Sequence, residues 1–276
     1  MKNTVSSKKI LAGAPLLIAH RGGAGLAPEN TMAAFRRAVD LWQADMIEFD
    51  VRATLDGHCV VMHDPTVART TDGTGEVAKL TLAQLRELDA GYRFTPDGGR
   101  TFPFRGQGIR IPTIEEVLND LPPIRLTIEL KTAAAQRPLF DAIERANAAD
   151  RVIAASEYRA YRDRFHEWHG VVSACREDLM PFYILHRVRL GVFGRVRADV
   201  VQICEKIGSH QAVSPRLVRE LHARGIPVHI WTVNDVADMN RLLDWGVEGI
   251  ITDFPDRLAR VLHERVGRPL PPGLLS

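Results

Sequence analysis

Short apolar runs alternate along the chain with segments whose apolar residues recur at helical spacing. The runs are typical of buried strands, and they occupy residues 16–19, 45–51, 125–131, 151–155, 170–174, 199–204, 227–233 and 249–252. The helical patterns between them occupy residues 113–121, 139–146, 158–168, 215–223 and 236–243. Strands that alternate with helices indicate parallel β–α units, and eight such units predict an α/β fold closed into a barrel.

A further helix is predicted after the first strand. Met32, Phe35 and Val39 share one face at helical spacing, so this helix is expected to bury that face. Asn30, just before it, is the predicted N-cap because a short polar side chain can accept from the free backbone N–H groups of the first turn.

The regular alternation is interrupted between residues 53 and 112. Asp56-Gly57 lies between two strand-like runs and is a strong hairpin signal. The run that ends in His63 is therefore expected to pair antiparallel with an extension of the second strand. The remainder holds a predicted helix at 82–88, capped by Thr81, and a loop rich in Gly, Arg and Phe. We predict one domain over residues 1–276 with an inserted subdomain at about 53–112.

Composition fits a single large α/β domain and narrows the possible partners. The chain has 276 residues, 45% of them hydrophobic, and a formal net charge of +2, which gives no indication of a nucleic-acid partner. The cysteines, Cys59, Cys175 and Cys204, show no metal-binding spacing and leave one unpaired, so a reducing, cytoplasmic location is expected. A lysine-containing start followed by an apolar run superficially resembles a signal peptide, but Pro15 breaks the run, so we expect a short tail. No run approaches the roughly 18 apolar residues of a membrane span.

Two acids are set into the second strand, at Glu48 and Asp50. Side chains two residues apart in a strand point to the same face, where two carboxylates repel each other and resist burial. A divalent cation between them would remove both penalties, since hard cations favour carboxylate oxygens. The alternative is a half-exposed strand whose acids lie in water.

Other strand-like runs also end in ionisable residues. One ends at His20, one at His63, and one at Glu129 and Lys131. In parallel barrels the catalytic groups collect where the strands end, so these side chains are expected to share one site.

A set of short motifs in a fixed order carries a resemblance to a known family. The motifs are His20-Arg21-Gly22, Pro28-Glu29-Asn30-Thr31, Glu48-Phe49-Asp50-Val51, Asp56-Gly57, Val60-Val61-Met62-His63-Asp64, Arg69-Thr70-Thr71, Ile128-Glu129-Leu130-Lys131 and Trp231-Thr232-Val233-Asn234. Together, over residues 16 to about 256, they resemble the glycerophosphodiester phosphodiesterase family. The resemblance implies a TIM (β/α)8 barrel with a small insertion after the second barrel strand. It also implies a hydrolase that converts glycerophosphodiesters to glycerol 3-phosphate and an alcohol.

The resemblance also implies which residues carry the reaction. Glu48, Asp50 and Glu129 match the family's metal ligands, and their all-oxygen donor set favours one Mg²⁺ or Ca²⁺ ion. His20 and His63 match its acid–base pair, and the ordinary pKa of histidine suits proton transfer at neutral pH. Which histidine is the acid stays open, as does the nucleophile, which is either the substrate's own hydroxyl or water.

Further residues are candidates for holding the substrate. Arg21 is a predicted phosphate clamp, because a guanidinium can pair two oxygens at once. Lys131 either faces the phosphate or forms a salt bridge with Glu129. Trp231 either packs against the glycerol carbons or fills the barrel core, and Glu115 is a candidate supporting residue behind the metal ligands.

Asp253 ends the eighth strand within a Thr-Asp-x-Pro-Asp pattern. Capping of the next helix by Asp256 explains part of this pattern, so Asp253 ranks below the other candidates.

Residues 180–197 combine large apolar residues with Arg187, Arg189, Arg195 and Arg197. Such a stretch is either an ordinary barrel helix, which we favour, or a contact with a membrane surface. Membrane contact would make lysophospholipids plausible substrates, and a lysophospholipase D is one alternative function. A barrel that binds a phosphorylated small molecule without turnover is another, although two proton-transfer groups argue against it. We expect a small-molecule phosphodiester substrate and a monomer or homodimer.

Overall fold

The computed structural model describes residues 9–166, 168–208 and 210–275. The start of the predicted tail, up to residue 8, lies outside them. The strands, numbered in chain order, are β1 Leu16–His20, β2 Met46–Ala53, β3 Cys59–Val61, β4 Arg125–Leu130, β5 Val152–Ala155, β6 Val171–Val172, β7 Val201–Cys204, β8 Lys206–Ile207, β9 His210–Gln211, β10 Val228–Trp231 and β11 Gly249–Thr252.

Eight of these strands form a parallel barrel in the order β6-β5-β4-β2-β1-β11-β10-β7. The ring closes between β6 and β7, where Ser173 pairs parallel with Val200 and the backbone N–H of Asp199 donates to the carbonyl of Val172 at 3.0 Å. All eight predicted strands are present, so the predicted (β/α)8 barrel is confirmed.

Helices cover the outside of the barrel. The longer ones are Met32–Asp40, Ile114–Asp120, Gln136–Arg145, Arg176–Arg187, Pro215–His222, Val236–Asp244 and Pro255–Val266. The predicted helix at 158–168 is wrong, because two 3₁₀ turns, Arg159–Tyr161 and Asp163–His166, stand there instead. The chain leaves helical geometry at Arg162, whose buried side chain turns towards the carboxylate of Asp178.

The predicted cap of the first helix is also wrong. Thr31 is the N-cap, and its hydroxyl accepts from the backbone N–H of Ala34 at 3.2 Å. Asn30 has a positive φ of 59°, a conformation that asparagine tolerates better than most residues, and its side chain points into the barrel end instead.

The hairpin after β2 is confirmed. Val51 pairs antiparallel with Val61, and Ala53 with Cys59, with Gly57 at a φ of 83° in the turn. Beyond it, a short helix, Leu82–Arg86, packs over a separate apolar cluster that includes Val67, Val77 and Leu85. The division into one domain with an inserted subdomain stays a prediction.

Two apolar layers position the site. Leu16, Ile18, Met46 and Ile153 are among the side chains that fill the barrel interior towards the amino ends of the strands. A larger cluster fills the space between the strands and the helices. The interior is thus packed at one end, and ionisable side chains occupy the other. Among the described residues, no helix is long and apolar enough to span a bilayer.

Candidate active site

The carboxyl ends of three adjacent strands bring the predicted metal ligands together. Register places His20 of β1 beside Glu48 of β2, and Asp50 of β2 beside Glu129 of β4. Since side chains alternate along a strand, all four point into the barrel. One oxygen each from Glu48, Asp50 and Glu129 lies within 4.8 Å of the other two.

This donor set fits a hard divalent cation. Three carboxylates at this spacing, two of them buried, offer the oxygen ligands that Mg²⁺ and Ca²⁺ prefer. Burial together with the charge of Asp50 raises the pKa of Glu48 to about 7. Burial also raises the pKa of Glu129, although Lys131 opposes that shift. Carboxylates that are costly to ionise together are those that gain most from a cation.

Lys131 lies in the same cluster. Its Nζ is 2.8 Å from Glu129 Oε1 and 3.0 Å from Asp50 Oδ1. Burial alone would raise the pKa of Asp50, but Lys131 and Arg21 outweigh it and lower that pKa. The salt bridge to Glu129 is therefore present, and it places the ammonium beside the carboxylates.

His20 is held by a partner from the far end of the chain. Its Nδ1 lies 2.6 Å from Asp253 Oδ1, and its Nε2 lies 3.8 Å from Glu48 Oε2. Burial lowers the pKa of His20, but the hydrogen bond with Asp253 and the charges of Glu48 and Asp253 outweigh burial and raise it. Asp253 is in turn held by Asn234, whose Nδ2 donates to Oδ2 at 2.7 Å.

His63 has a similar arrangement, close enough to Asp50 and Glu129 for its charge to act on both. Its Nδ1 lies 2.6 Å from Asp64 Oδ1, and Arg69 Nε donates to Asp64 Oδ2 at 2.6 Å. The hydrogen bond from Arg69 is the main reason that the pKa of Asp64 falls to about 2. Both histidines therefore have Nδ1 engaged by an aspartate, which leaves Nε2 available to a substrate.

A second network holds Arg21. Its Nη1 donates to Glu29 Oε1 at 2.8 Å, and its Nε lies 3.3 Å from Asp50 Oδ2. Glu29 also receives two hydrogen bonds from Arg69, each of 2.7 Å. Glu29 thus links Arg21, which directly follows β1, to Arg69, which lies beyond β3.

Asn30 completes the buried part of the cluster. Its Nδ2 donates to Asp50 Oδ2 at 3.1 Å, while its Oδ1 is buried with no hydrogen-bond partner among the described residues. An unpaired oxygen on a side chain that is bonded to Asp50 is one more group that fits a cation or its water.

The remaining candidates lie further out. Trp231 ends β10 with 41% of its surface exposed, so it does not fill the barrel core but stands at the barrel end. Glu115 pairs with Arg145 Nη2 at 2.9 Å on the outside of the barrel, and no contact with the metal-site carboxylates is recorded for it in the described part of the chain.

The sequence reasoning undervalued several partners. Asp253 ranked low because Asp256 was expected to cap the last helix, yet the N-cap is Phe254, without a side-chain cap. Asn234 and Glu29 belong to two of the motifs, and the motifs alone do not indicate what their side chains contact. Asn234 follows the end of β10, and it meets Asp253 because β10 pairs with β11. Glu29 lies in the loop after β1, and it meets Arg69 through a contact between residues 40 positions apart.

Comparison with known proteins identifies the family of the chain. The family model for the glycerophosphoryl diester phosphodiesterase family matches residues 20–257. A glycerophosphodiester phosphodiesterase of Caldanaerobacter subterraneus subsp. tengcongensis is 34% identical over 274 residues, covering 90% of this chain and 98% of the relative. A lysophospholipase D of Homo sapiens is 28% identical over 289 residues, covering 89% of this chain and 85% of the relative.

Solved structures have the same fold. A glycerophosphoryl diester phosphodiesterase domain from Mycobacterium tuberculosis superimposes with a TM-score of 0.78 at 22% identity, covering 92% of this chain and 100% of that one. An Oleispira antarctica phosphodiesterase, solved in complex with the product sn-glycerol-3-phosphate, has a TM-score of 0.71 at 24% identity. The match covers 90% of this chain and 97% of that one. Motifs, fold and family model agree, and the chain belongs to the glycerophosphoryl diester phosphodiesterase family.

Proposed function

We propose that this chain hydrolyses glycerophosphodiesters to glycerol 3-phosphate and an alcohol, with His20 and His63 as its acid–base pair. The observation that carries the proposal is the triad of carboxylates, Glu48, Asp50 and Glu129, together with two histidines that are each held by an aspartate. Family membership and the relatives named for this activity support it.

Each group has a defined task in this proposal. A divalent cation bound by Glu48, Asp50 and Glu129, either Mg²⁺ or Ca²⁺, would supply positive charge for the phosphate and help to activate an oxygen nucleophile. Arg21 and Lys131 both lie beside Asp50 and supply further positive charge at the same barrel end. In this proposal they contact the phosphate of a substrate that is bound at the cation.

The two histidines move the protons. One takes a proton from the attacking hydroxyl or water, and the other gives a proton to the leaving alkoxide oxygen. Asp253 and Asp64 hold Nδ1 of His20 and His63, so Nε2 is the nitrogen that each presents to the substrate. Trp231, exposed at the barrel end, offers an apolar surface for the glycerol carbons. We keep Glu115 only as a distant supporting residue, through Arg145.

A lysophospholipase D activity is the second candidate. The relative from Homo sapiens carries that name. The exposed Trp231 would also suit the start of an acyl chain. The two functions share one site and differ in substrate length.

The test measures release of glycerol 3-phosphate from glycerophosphocholine and glycerophosphoethanolamine, and of choline from lysophosphatidylcholine. Each substrate is assayed with Mg²⁺, Ca²⁺ or chelator. Turnover of the short diesters that the chelator abolishes is the expected result. Turnover of the lysolipid alone would replace the first function with the second, and no turnover would overturn both and point to a non-catalytic phosphate-binding barrel.

Variants separate metal binding from proton transfer. Glu129→Ala is expected to lose activity together with bound metal, whereas His20→Ala and His63→Ala lose activity with metal still bound. His58→Ala is the matched control, since His58 is exposed in the hairpin turn. Full activity of either active-site histidine variant would contradict the proposed mechanism.

Cytoplasmic location also remains a proposal. The thiols of Cys59, Cys175 and Cys204 are all free in the structure, which agrees with a reducing compartment. The choice between monomer and homodimer stays a prediction for sedimentation analysis.

A further inference from the structure

An exposed surface on the outside of the barrel combines apolar and basic side chains. Its members are Met180, Arg187, Ile184, Val188, Arg189, Leu190, Val192, Phe193, Arg195 and Arg197. We call it the 180–197 surface. Of the eleven large apolar side chains that are exposed among the described residues, six belong to it, so the exposed apolar area is concentrated here. Patches of this kind usually mark a binding surface.

The surface is built on an ordinary barrel helix, as the sequence analysis favoured. Phe182 and His186 of helix Arg176–Arg187 are buried on its inner face. Met180, Ile184 and Val188 follow one another at a spacing of four residues, so they form one exposed stripe on the outer side. The helix therefore packs against the barrel and still presents apolar side chains to solvent.

The turn after the helix presents the most exposed pair. Val192 and Phe193 lie in the 3₁₀ turn Gly191–Phe193 and are 76% and 75% exposed. Arg224 anchors this turn, with Nη2 donating to the carbonyls of Gly191 and Gly194. The two side chains thus project from a fixed turn.

The charge on the surface is of one sign. Residues 179–198 contain no Asp or Glu. Arg187, Arg189, Arg195 and Arg197 are exposed, and none of them has a carboxylate partner within the described residues.

The flanking acids are already engaged. Asp178 is paired with Arg159 and Arg162, and Asp199 accepts from the backbone N–H of Val172 at 2.9 Å. The four guanidinium groups of the surface are therefore not held in ion pairs by these acids.

We propose that the 180–197 surface docks the protein on anionic membranes. Basic side chains with exposed apolar neighbours suit a lipid surface, where the charges meet acidic headgroups and the apolar side chains enter the interface. A second copy of the chain suits the surface less well, because a symmetric dimer would bring eight unpaired guanidinium groups together. The docking is independent of the reaction that the barrel catalyses.

The test is co-sedimentation with phosphatidylcholine vesicles, with and without phosphatidylglycerol, at low and high salt. Binding is expected only to the vesicles with phosphatidylglycerol and should weaken with salt. Each arginine near an anionic surface contributes a factor of about five, so Arg187→Gln/Arg189→Gln/Arg195→Gln/Arg197→Gln should weaken binding at least about a hundredfold. Val192→Ser/Phe193→Ser should weaken it at least about tenfold through lost apolar burial.

The matched control removes the same charge elsewhere. Arg36, Arg100, Arg110 and Arg260 are also exposed, and none of their guanidinium groups pairs with a carboxylate among the described residues. Changing these four to Gln should reduce binding by less than about fivefold, because they lie outside the surface. Unchanged circular dichroism and turnover of glycerophosphocholine verify folding in every variant.

Three results would overturn the proposal. The first is no binding of the native protein to vesicles that contain phosphatidylglycerol. The second is equal weakening by the two fourfold arginine variants, which would mean that only net charge matters. The third is self-association of the native protein in the absence of vesicle binding, if Val192→Ser/Phe193→Ser abolishes that self-association. This result would assign the surface to a second copy of the chain.

Discussion

Replacing Asp253 by Asn tests how His20 is oriented. The backbone N–H of residue 253 and the hydroxyl of Thr252 donate to Asn234 Oδ1 at 2.9 and 3.1 Å, so the amide Nδ2 must face residue 253. An Asn at 253 then has one oxygen for two donors, Asn234 Nδ2 and His20 Nδ1. Whichever donor it serves, its own NH₂ group faces the other. Either Asn234 Nδ2 loses its acceptor, or His20 Nδ1 can only accept and the ring proton moves to Nε2. In both cases the charge-assisted hydrogen bond between His20 and a carboxylate is lost.

The size of the effect follows from that lost bond. A hydrogen bond to a charged group contributes about 1.5–3 kcal/mol, so kcat/KM of Asp253→Asn should fall about 10- to 150-fold. Because the negative charge of Asp253 helps to raise the pKa of His20, its removal lowers that pKa. The limb of the pH–rate profile that reports His20 should therefore move to lower pH. Metal affinity should stay within about twofold, since Asp253 is not one of the three clustered carboxylates.

The reversed pair supplies the control. In Asn234→Asp/Asp253→Asn, the carboxylate at 234 still accepts from Thr252 and from the backbone, and it also accepts from the new amide at 253. The amide oxygen at 253 is then free for His20 Nδ1. Steady-state assays on glycerophosphocholine should show at least about tenfold recovery over Asp253→Asn alone. An Asp253→Asn enzyme within twofold of the native rate, or a double variant no better than the single, would refute this reasoning.

Three further predictions concern the carboxylates and Arg69. Glu129→Gln should weaken Mg²⁺ or Ca²⁺ binding at least about tenfold in calorimetric titrations, and native affinity would contradict its role as a ligand. Because the pKa of Glu48 is about 7 and a proton competes with the cation, metal affinity should fall about tenfold for each pH unit below that value. A flat dependence would argue against Glu48 as a ligand. Arg69→Lys should lower the free energy of unfolding by about 1 kcal/mol in urea titrations and reduce kcat, because an ammonium cannot span Glu29 and Asp64 as the guanidinium does. Native kcat in Arg69→Lys would show that this bridge does not support catalysis.

Local sequence patterns were sufficient to predict most of the barrel. The eight strands were predicted because buried parallel strands are short apolar runs. The hairpin after β2 was predicted because Asp56-Gly57 suits a tight turn. The shared face of Glu48 and Asp50 follows from the two-residue period of a strand, and the structure brings Glu129 beside them.

The predictions that are wrong or absent concern positions whose structure is set by tertiary contacts. The helix predicted at 158–168 is broken because Arg162 turns to a buried partner on a later helix. Asn30 was assigned to a helix cap, but a buried carboxylate, Asp50, takes its side chain instead. Asp253 and His20 meet only because β1 pairs with β11, which no local pattern reveals.

The contact between His20 and Asp253 also has a consequence for biosynthesis. The two residues are 233 positions apart: His20 ends β1, and Asp253 directly follows β11. A nascent chain that has emerged from the ribosome through β4 already carries all three clustered carboxylates, yet it lacks Asp253, which orients His20 through Nδ1. Full turnover therefore begins only after the final strand has been translated and docked, and truncated chains should be poor catalysts even where they bind a cation. Catalytic activity in this protein is thus a direct report that β11 has been made and has paired with β1.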